Sequence, residues 1–334
     1  MTKFLRLTVK LFAALLVIAA LLGGLLAWEL RVAVGPTQQV FVQLKPGASA
    51  RHIAADLHRA GMIKNQTAFL IWHYLRGRKP LKAGEYSFDH PANVMQVYDR
   101  VVRGDIYFRA VVVPEGFNSF DIAAALEDAG LGKRAEFLQV VQQEIALIKD
   151  LDPNAPSLEG YLFPDTYYFT RTQSMRDIAG VMVHRFRQAA GEIGLNKDVH
   201  AIVTMGSIVE KETSAPEERP RVAGVFFNRL ERKMTLDTDP SVIYAALLNN
   251  RYRGKIYQSD LKFKSPYNTY RFAGLPPGPI CNPGKDSLQA AMNPEKTKYL
   301  YFVSDNHGHS RFARTQKEHQ RNVRLYRRSL AESH

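Results

Sequence analysis

The amino-terminal segment combines basic residues with a long apolar run. Lys3, Arg6 and Lys10 precede an uncharged stretch over residues 11–28. A helix needs about 20 apolar residues to cross the hydrocarbon core of a bilayer, and basic flanks stay on the cytoplasmic side. The pattern therefore predicts a cytoplasmic segment over residues 1–10, a transmembrane helix over 11–30 and an extracytoplasmic remainder. A cleaved signal peptide is the alternative, but no small-x-small cleavage site follows the apolar run.

Two later segments share one pattern at a constant offset. Residues 42–47 have the pattern of a β-branched strand and a glycine turn, followed by apolar residues at helical spacing and a stop at Gly61. Residues 111–116 begin the same pattern, which stops at Gly130. Each copy predicts a strand-turn-helix unit. Asn118 or Ser119 is predicted to cap the helix of the second copy.

Between the two copies, residues 67–75 have helical spacing and residues 84–88 alternate like a short strand. The sequence therefore predicts a small α+β module over residues 38–110. Strand-helix units on an extracytoplasmic chain are similar to LysM-type modules, which bind glycan strands. A packing subdomain without a ligand is the alternative interpretation.

Length and composition bound the remaining domains. A chain of 334 residues with 46% hydrophobic and 23% charged residues is expected to form more than one folded domain. Residues 111–156 are predicted to hold the second strand-helix unit and a linker rich in Pro and Asp. Residues 157–330 are predicted to form an α+β catalytic domain. This last part is richer in Tyr, Asn, Asp, Gly and Pro, as loops that carry a functional site often are.

Charge and cysteine content exclude several classes of partner. The net charge of +13 favours an acidic partner. Outside the membrane, that partner is expected to be the acidic cell wall and not nucleic acid. Cys281 is the single cysteine, which excludes an intrachain disulfide and a zinc site built from several thiolates.

A helix predicted over residues 198–213 carries the strongest candidate for chemistry. Ile202, Met205, Ile208 and Val209 form an apolar stripe at 100° per residue, and Glu212 falls inside that stripe. Burial raises the pKa of a carboxyl group toward the range useful for a general acid. Glu212 is therefore a candidate acid. The alternative is a structural glutamate paired with an arginine of the following helix.

Three further segments, 157–169, 236–244 and 265–270, mix aromatic, amide and carboxylate side chains. Aromatic rings can stack on sugar faces, while amides and carboxylates can bind hydroxyl groups. For one carboxylate, Asp239, a helix cap is the simpler interpretation because a proline follows it. The substrate-binding candidates are Glu159, Tyr161, Asp165, Thr238, Asp239, Tyr267, Asn268 and Tyr270.

Several motifs follow one another in an order that resembles a known family. They are Glu159-Gly-Tyr-Leu-Phe-Pro-Asp-Thr-Tyr167, Ser207-Ile-Val-Glu-Lys-Glu-Thr213, Val225-Phe-Phe-Asn-Arg-Leu230, Thr238-Asp-Pro240, Tyr267-Asn-Thr-Tyr270, Gly274-Leu-Pro-Pro-Gly278, Asn282-Pro-Gly284 and Tyr299-Leu-Tyr-Phe-Val-Ser304. Together they resemble the MltG family, the YceG-like endolytic murein transglycosylases, over nearly the whole chain. In that family the second glutamate of the Glu-Lys-Glu motif is tied to catalysis. Here that position is Glu212.

The resemblance implies a lytic cut of the β-1,4 bond between N-acetylmuramic acid (MurNAc) and N-acetylglucosamine (GlcNAc) in nascent peptidoglycan. The cut leaves a 1,6-anhydro-MurNAc end, limits strand elongation and needs no metal or cofactor. Tyr267, Asn268 and Tyr270 would then position the muramyl sugar. Glu159, Asp165 and Asp239 would hold the cleft or bind hydroxyls. The resemblance also implies a single-pass protein of the inner (cytoplasmic) membrane with a periplasmic catalytic domain. Cell-wall synthases are candidate partners.

Two other functions stay open at this point. A hydrolytic muramidase needs a second carboxylate near Glu212, for which Asp239 and Glu159 are available, and its products would have reducing ends. A non-catalytic glycan-binding scaffold for division or the cell wall would not depend on Glu212.

Two remaining features are predicted to be structural. His307 and His309 flank a glycine, which indicates an exposed turn and not a metal site. The closing helix, predicted over residues 311–328, is rich in Lys and Arg. Such runs are usually solvated faces, although acidic stem peptides could rest on this one.

Overall fold

The structure is a computed structural model that describes residues 3–332, with the side chains of residues 7–331. The described chain is mixed α+β. It divides into two compact units, Met1–Arg109 with Thr170–Thr172 and Ala110–Phe169 with Gln173–His334. We refer to them as the N-terminal unit and the C-terminal unit.

The N-terminal unit combines one two-stranded sheet with helices. Its elements are α1 (Lys3–Arg31), β1 (Val40–Leu44), α2 (Ala50–Arg59), α3 (Gln66–Leu75), β2 (Gly84–Phe88) and α4 (Val94–Arg103). β1 and β2 pair antiparallel, with Val40 opposite Phe88. Helices α2, α3 and α4 begin at side-chain caps from Ser49, Asn65 and Asn93, which bind N–H groups that the first turn leaves unpaired.

The predicted transmembrane segment lies within α1. Among the described residues, Leu7–Arg31 is the one helix long and apolar enough to cross a membrane, and most of its large apolar side chains are exposed. Its last turn packs on the N-terminal unit, where Leu30 joins the apolar core and Glu29 pairs with Lys64 at 3.2 Å. An exposed apolar helix of this length suits a lipid environment.

The predicted strand-turn-helix pattern is confirmed in both units. It appears as β1 and α2 in the N-terminal unit, and again in the C-terminal unit as β3 (Arg109–Val113) and α5 (Ser119–Asp128). Gly47 and Gly116 occupy the two turns with φ of +76° and +79°, and Gly61 and Gly130 follow the two helices with φ of +76° and +69°. The left-handed region suits glycine best. Asn118 caps α5 with its side chain, one of the two predicted alternatives.

The C-terminal unit is mainly helical. Its further elements are α6 (Arg134–Gln143), β4 (Asp165–Phe169), α7 (Met175–Glu192), α8 (Val199–Glu212), α9 (Arg219–Glu231), α10 (Asp239–Leu248), α11 (Gln258–Leu261), α12 (Lys285–Met292), β5 (Tyr301–Ser304), β6 (Ser310–Ala313) and α13 (Gln316–Glu332). β3 and β4 share one sheet, and β5 pairs antiparallel with β6.

Helix α8 belongs to two apolar cores at once. Its first half places Val199 and Val203 in the core formed with β3 and helices α5–α7. Its second half places Met205, Ile208 and Val209 in the core formed with α9, α10 and α12. Packing on both sides fixes the axis of α8. The C-terminal end of α8 is therefore held in one position.

Two segments differ from their sequence interpretation. Residues 111–156, which include the predicted linker, lie in the same compact unit as residues 157–169 and 173–330, because Ile148 and Ala155 pack into the core around α7. The closing helix begins at Gln316 and not at residue 311. Residues 310–313 instead form β6, because Ser310 and Ala313 pair with β5.

Candidate active site

The C-terminal turn of α8 presents two glutamates with different surroundings. The apolar stripe that precedes them, Met205, Ile208 and Val209, is fully buried. Glu210 and Glu212 follow at the point where the helix ends and Thr213 adopts an extended conformation. Because this apolar stripe anchors the helix in the core, the backbone positions of both glutamates are fixed.

Glu210 is a paired structural residue. Its Oε1 accepts a hydrogen bond from Nη2 of Arg219 on α9 at 2.9 Å, and its Oε2 accepts one from the backbone N–H of Gly284 at 2.9 Å. The Glu210 and Arg219 side chains are 5% and 8% exposed. A glutamate paired with an arginine of the following helix was the structural alternative for Glu212, and the structure places that arrangement at Glu210.

Glu212 has no partner of this kind. No described side chain or backbone group forms a hydrogen bond or ion pair with its carboxylate, which is half-buried in the wall of a cavity of about 320 Å³. Burial, and to a smaller extent the negative charge of Asp239, raise the pKa of Glu212 from 4.5 to about 7, while the positive charge of Arg229 opposes the rise. Removal of water from a carboxylate disfavours its charged form. A proton is therefore available on Glu212 near neutral pH.

Elements from four parts of the C-terminal unit line the cavity around Glu212. They are α9, the loop that follows it, β5 and the first turn of α13, and a loop tyrosine completes the wall. The lining residues besides Glu212 are Phe226, Arg229, Leu236, Asp237, Tyr270, Tyr301, Phe302, Gln316 and His319. The wall thus combines aromatic rings with a larger number of charged and polar groups.

Arg229 ties three sides of this cavity together. Its Nε donates to the carbonyl of Leu300 at 2.7 Å, and its Nη1 donates to the carbonyl of Leu236 at 2.8 Å. Its guanidinium lies 5.2 Å from the centre of the Tyr301 ring, within the range of a cation–π interaction. The position of this charge beside Glu212 is therefore set by backbone contacts.

Tyr270 and Asp239 are the two substrate-binding candidates that the structure brings close to Glu212. The Tyr270 hydroxyl donates to Oδ1 of Asp239 at 2.7 Å, and burial together with this hydrogen bond raises the pKa of Tyr270. Asp239 is the first residue of α10, and Thr238 occupies the cap position. The cap interpretation of Asp239 is therefore wrong, and its carboxylate is available to Tyr270.

Asn268 and Thr238 lie deeper than the cavity surface. The Asn268 side chain is fully buried; its Nδ2 donates to the carbonyl of Phe263 at 2.8 Å, and its Oδ1 accepts from the backbone N–H of Tyr270 at 3.0 Å. Thr238 is also buried and donates its backbone N–H to Oγ1 of Thr269 at 3.0 Å. Both residues hold the loop that presents Tyr270. Their direct contact with substrate stays a prediction.

Glu159 is the centre of a separate buried network. Its carboxylate accepts from Oγ of Ser119 at 2.6 Å and from Nδ2 of Asn282 at 3.0 Å, and Tyr244 is a further partner. Burial raises its pKa to about 7, although the hydrogen bonds from Ser119 oppose the rise. Glu159 is 1% exposed, so its geometry favours a role in joining α5 to the loop before α12.

The other candidates are also outside the cavity. The Tyr267 ring packs edge-on against Tyr244 with centroids 5.1 Å apart. The Tyr161 ring is fully buried and its hydroxyl binds Asp152. Asp165 lies on β4, where its ion pair with Arg185 at 2.8 Å lowers its pKa. Substrate binding by Tyr267, Tyr161 and Asp165 stays a prediction.

Comparison with known proteins places this arrangement in a family. A model of the YceG-like family matches residues 42–325, which is most of the chain.

The chain belongs to the YceG-like family.

Several relatives support this assignment. The "Endolytic murein transglycosylase" of Bacillus subtilis (strain 168) is 33% identical over 308 residues, which cover 86% of this chain and 84% of that protein. Two Streptococcus pneumoniae proteins of the same name, from strains D39 and R6, are 29% identical, and the chain spans 58% of their length. The crystal structure of a YceG-like protein from Listeria monocytogenes is similar with a TM-score of 0.55 at 32% identity, covering 86% of this chain and 99% of that one.

Several residues that line the cavity of this YceG-like chain could not be identified from the sequence. Arg229 and Tyr301 lie inside recognised motifs, but nothing local distinguishes them from ordinary helix and strand residues. Asp237 is next to a named motif. Gln316 and His319 lie in the closing helix, which was predicted to be a solvated face, and the structure corrects this for its first turn. No periodic signal in the sequence connects these residues to Glu212.

Replacing Glu212 or Glu210 of α8 by Gln should change the free energy of unfolding in opposite directions. The pKa of Glu212 is raised from 4.5 to about 7, so its charged form is disfavoured in the folded protein. That penalty is present above pH 7 and disappears below the unfolded pKa. Glu212→Gln should therefore raise the free energy of unfolding at pH 8 by up to about 3 kcal/mol, and by less than about 1 kcal/mol at pH 5. Glu210→Gln should lower it by about 1–3 kcal/mol at both pH values, because Arg219 loses the nearest and most buried of its carboxylate partners.

Thermal unfolding of the full chain in detergent at pH 5 and pH 8 measures these shifts. The Glu210→Gln variant is the matched control, since it makes the same chemical change two residues away. Destabilisation by Glu212→Gln at pH 8 would show that the Glu212 carboxylate has a partner in solution.

Proposed function

We propose that this chain is an endolytic murein transglycosylase that cleaves the β-1,4 bond between MurNAc and GlcNAc in nascent glycan strands and leaves 1,6-anhydro-MurNAc ends. Membership of the YceG-like family and the name of the Bacillus subtilis relative support this function. The observation that carries it is the unpaired carboxyl group of Glu212 in a cavity with aromatic walls.

The proposed reaction uses one carboxyl group twice. Protonated Glu212 donates its proton to the glycosidic oxygen as the bond from that oxygen to C1 of MurNAc breaks, and GlcNAc leaves with a new hydroxyl. The C6 hydroxyl of the same MurNAc attacks C1 and gives its proton to the Glu212 carboxylate. No water is consumed and Glu212 regains its proton. A pKa of about 7 suits both steps, because a general acid–base works best when its pKa lies near the operating pH.

The surroundings of Glu212 favour the lytic reaction over hydrolysis. A retaining or inverting hydrolase needs a second carboxylate that acts as nucleophile or base. Of the two available candidates, Glu159 is buried in its own hydrogen-bond network. The other, Asp239, is bound by Tyr270. In the lytic route the substrate supplies the attacking hydroxyl, so neither carboxylate has to be free.

The remaining cavity residues are proposed to hold the sugar. Tyr270 and Tyr301 offer ring faces for stacking, and Asp237 offers a carboxylate for hydroxyl groups. The positive charge of Arg229 opposes the rise in the pKa of Glu212, which keeps the carboxylate form accessible for the second proton transfer.

Product analysis tests the reaction and the residue together. Uncross-linked glycan strands are incubated with the full chain in detergent, and the ends are identified by mass spectrometry. Wild type should produce anhydro-MurNAc ends, Glu212→Gln should reduce their rate of formation at least about 100-fold, and Glu136→Gln, at an exposed position on α6, should not. Reducing ends would assign a hydrolase instead. Equal cleavage by the Glu212→Gln variant would remove Glu212 from the mechanism, and no cleavage by any variant would favour the scaffold function.

The anchor is proposed to place this reaction at the outer face of the inner membrane. Support comes from the length and apolar composition of α1 and from the basic residues at its start, which favour a cytoplasmic amino terminus. A fixed anchor would keep the site near newly made strands and the synthases that make them. Protease added to spheroplasts should digest the chain beyond α1 while leaving an amino-terminal epitope protected; digestion of that epitope in intact spheroplasts would reverse the topology.

The N-terminal unit is proposed to be a LysM-like glycan-binding module. A groove of about 750 Å³ lies between β1 and α2, with Phe41, Lys45, His52 and Arg59 in its wall. An aromatic ring beside polar groups suits a sugar strand. Cosedimentation of the Glu212→Gln chain with insoluble peptidoglycan should weaken several-fold when Phe41 and His52 are replaced by Ala. Unchanged cosedimentation would favour a packing subdomain.

A further inference from the structure

His319 of α13 lies in the wall of the cavity beside Glu212 and takes no part in the proposed reaction. A capping box fixes the first turn of its helix: the Glu318 N–H donates to Oγ1 of Thr315 at 3.2 Å, and the Thr315 N–H donates to Oε2 of Glu318 at 3.3 Å. The His319 ring stacks on Tyr301 of β5, with ring centroids 5.2 Å apart. The capping box and the stacking contact together fix the position of the ring in the wall.

The two ring nitrogens of His319 have different surroundings. Nδ1 is buried and has no hydrogen-bond partner within the described residues. Nε2 also forms no hydrogen bond with any side chain or backbone group of the described chain, but it is not buried. His319 is half-buried in the cavity wall. Nε2 is therefore the nitrogen that a ligand in the cavity can reach.

The charge of the ring and the place of its proton follow from these surroundings. Burial, and to a smaller extent the positive charge of Arg229, lower the pKa of His319 from its usual value, so the ring is neutral at neutral pH. A neutral imidazole has one N–H and one lone pair. A proton on Nδ1 would be a buried N–H without an acceptor, which folded proteins seldom contain. The proton therefore lies on Nε2, and His319 presents an N–H donor to the cavity.

Two other donors in the cavity wall are already engaged. The Tyr270 hydroxyl donates to Asp239, and the Arg229 guanidinium donates to two backbone carbonyls. The Nε2–H of His319, by contrast, has no acceptor in the part of the chain that the structure describes. Tyr301, on which His319 stacks, lines the same wall, so this neutral donor lies beside an aromatic ring. A ligand group with a neutral acceptor and an apolar end is complementary to both.

We propose that His319 binds the sugar beside Glu212 by donating a hydrogen bond from Nε2 to the carbonyl oxygen of an acetamido group. This inference rests on the proposed function, in which MurNAc and GlcNAc both carry that group. Its carbonyl oxygen is a neutral acceptor and its methyl group is apolar, so it matches the donor and the adjoining ring of Tyr301. A cavity of about 320 Å³ is at the small end of ligand pockets, so one sugar can contact both Glu212 and His319.

The consequence for the enzyme is a preference of the cavity for N-acetylated sugars. In the proposed reaction the acetamido group keeps its bonds, so the hydrogen bond from His319 is present in the bound substrate and in the transition state alike. Loss of such an interaction raises KM and leaves kcat nearly unchanged. The place of the donor also matters, because Nδ1 is closed to the cavity.

Four variants of the full chain in detergent test this proposal on uncross-linked strands. His319→Gln keeps a neutral N–H donor near the position of Nε2, His319→Asn moves the donor to near the position of Nδ1, and His319→Leu removes it. His307→Leu is the matched control, since it makes the same change at an exposed turn outside the cavity. Thermal unfolding checks the fold of each variant. The midpoint for His319→Leu should not fall below wild type, because an unpartnered buried nitrogen is removed.

His319→Leu and His319→Asn should each lose about tenfold in kcat/KM, through KM, because the sugar carbonyl is left without its donor. His319→Gln should stay within about threefold of wild type, and His307→Leu should match wild type. Equal activity of His319→Leu and wild type would overturn the proposal. Equal losses for all three His319 variants, or a loss in kcat alone, would also overturn it, because the ring would then support the wall without donating. If His319→Leu does not fold, the comparison of His319→Gln with His319→Asn decides.

A second substrate tests the acceptor. Strands in which trifluoroacetyl groups replace the acetyl groups keep a neutral amide of similar shape, but their carbonyl oxygens accept hydrogen bonds less well. The ratio of kcat/KM between wild type and His319→Leu should shrink from about tenfold to about threefold or less on these strands. An unchanged ratio would overturn the assignment of the acceptor to the acetamido group.

The products separate this inference from the proposed function. Reducing ends from wild type, with the same order of activity among the variants, would overturn the lytic reaction and retain the role of His319. No cleavage by wild type would overturn the proposed function. The dissociation constants of the strands for the same variants would then test His319 alone, with an increase of about tenfold expected for His319→Leu and His319→Asn.

Discussion

A largely desolvated carboxyl group that has no partner among the described residues is the constraint around which the C-terminal unit is organised. Glu212 reaches this position because α8 is packed into two apolar cores, which place its last turn at the cavity wall. The nearby pair of Glu210 and Arg219 joins the same turn to α9 and to the loop before α12. One glutamate therefore stabilises the end of the helix, while its neighbour retains a proton near neutral pH.

The features that could be predicted from the sequence have local causes. The apolar stripe of α8 is visible because a helix repeats every 3.6 residues, and the position of Glu212 within that stripe follows from the sequence alone. The two strand-turn-helix copies were visible because Gly47 and Gly116 mark turns that need the left-handed region. The apolar run of α1 and the helix caps are equally local. In each case the residue types alone restrict the backbone conformation of the segment or the environment, core, water or lipid, in which it is stable.

The features that could not be predicted depend on contacts between distant segments. Glu159 and Glu212 both lie in motifs and both have a pKa raised to about 7, yet one is surrounded by hydrogen-bond donors and the other faces a cavity. Only the fold distinguishes them. Likewise, Gln316 and His319 reach the cavity because α13 packs on the β5–β6 hairpin, whose strand β5 also lines that cavity. The pairing of two strands produces no recognisable pattern in the sequence of the helix that packs on them.

Arg229 couples the shape of the cavity wall to the acidity of Glu212. Its guanidinium holds the backbone at Leu236 and at Leu300, and the same charge opposes the rise in the pKa of Glu212. Removing the charge to make Glu212 a weaker acid would also release two segments of the wall. Adaptation to a different working pH is therefore restricted at this position, because acid strength and cavity shape cannot evolve independently through Arg229. The same restriction applies to Asp239, whose charge raises the pKa of Glu212 and whose carboxylate holds Tyr270 in the wall.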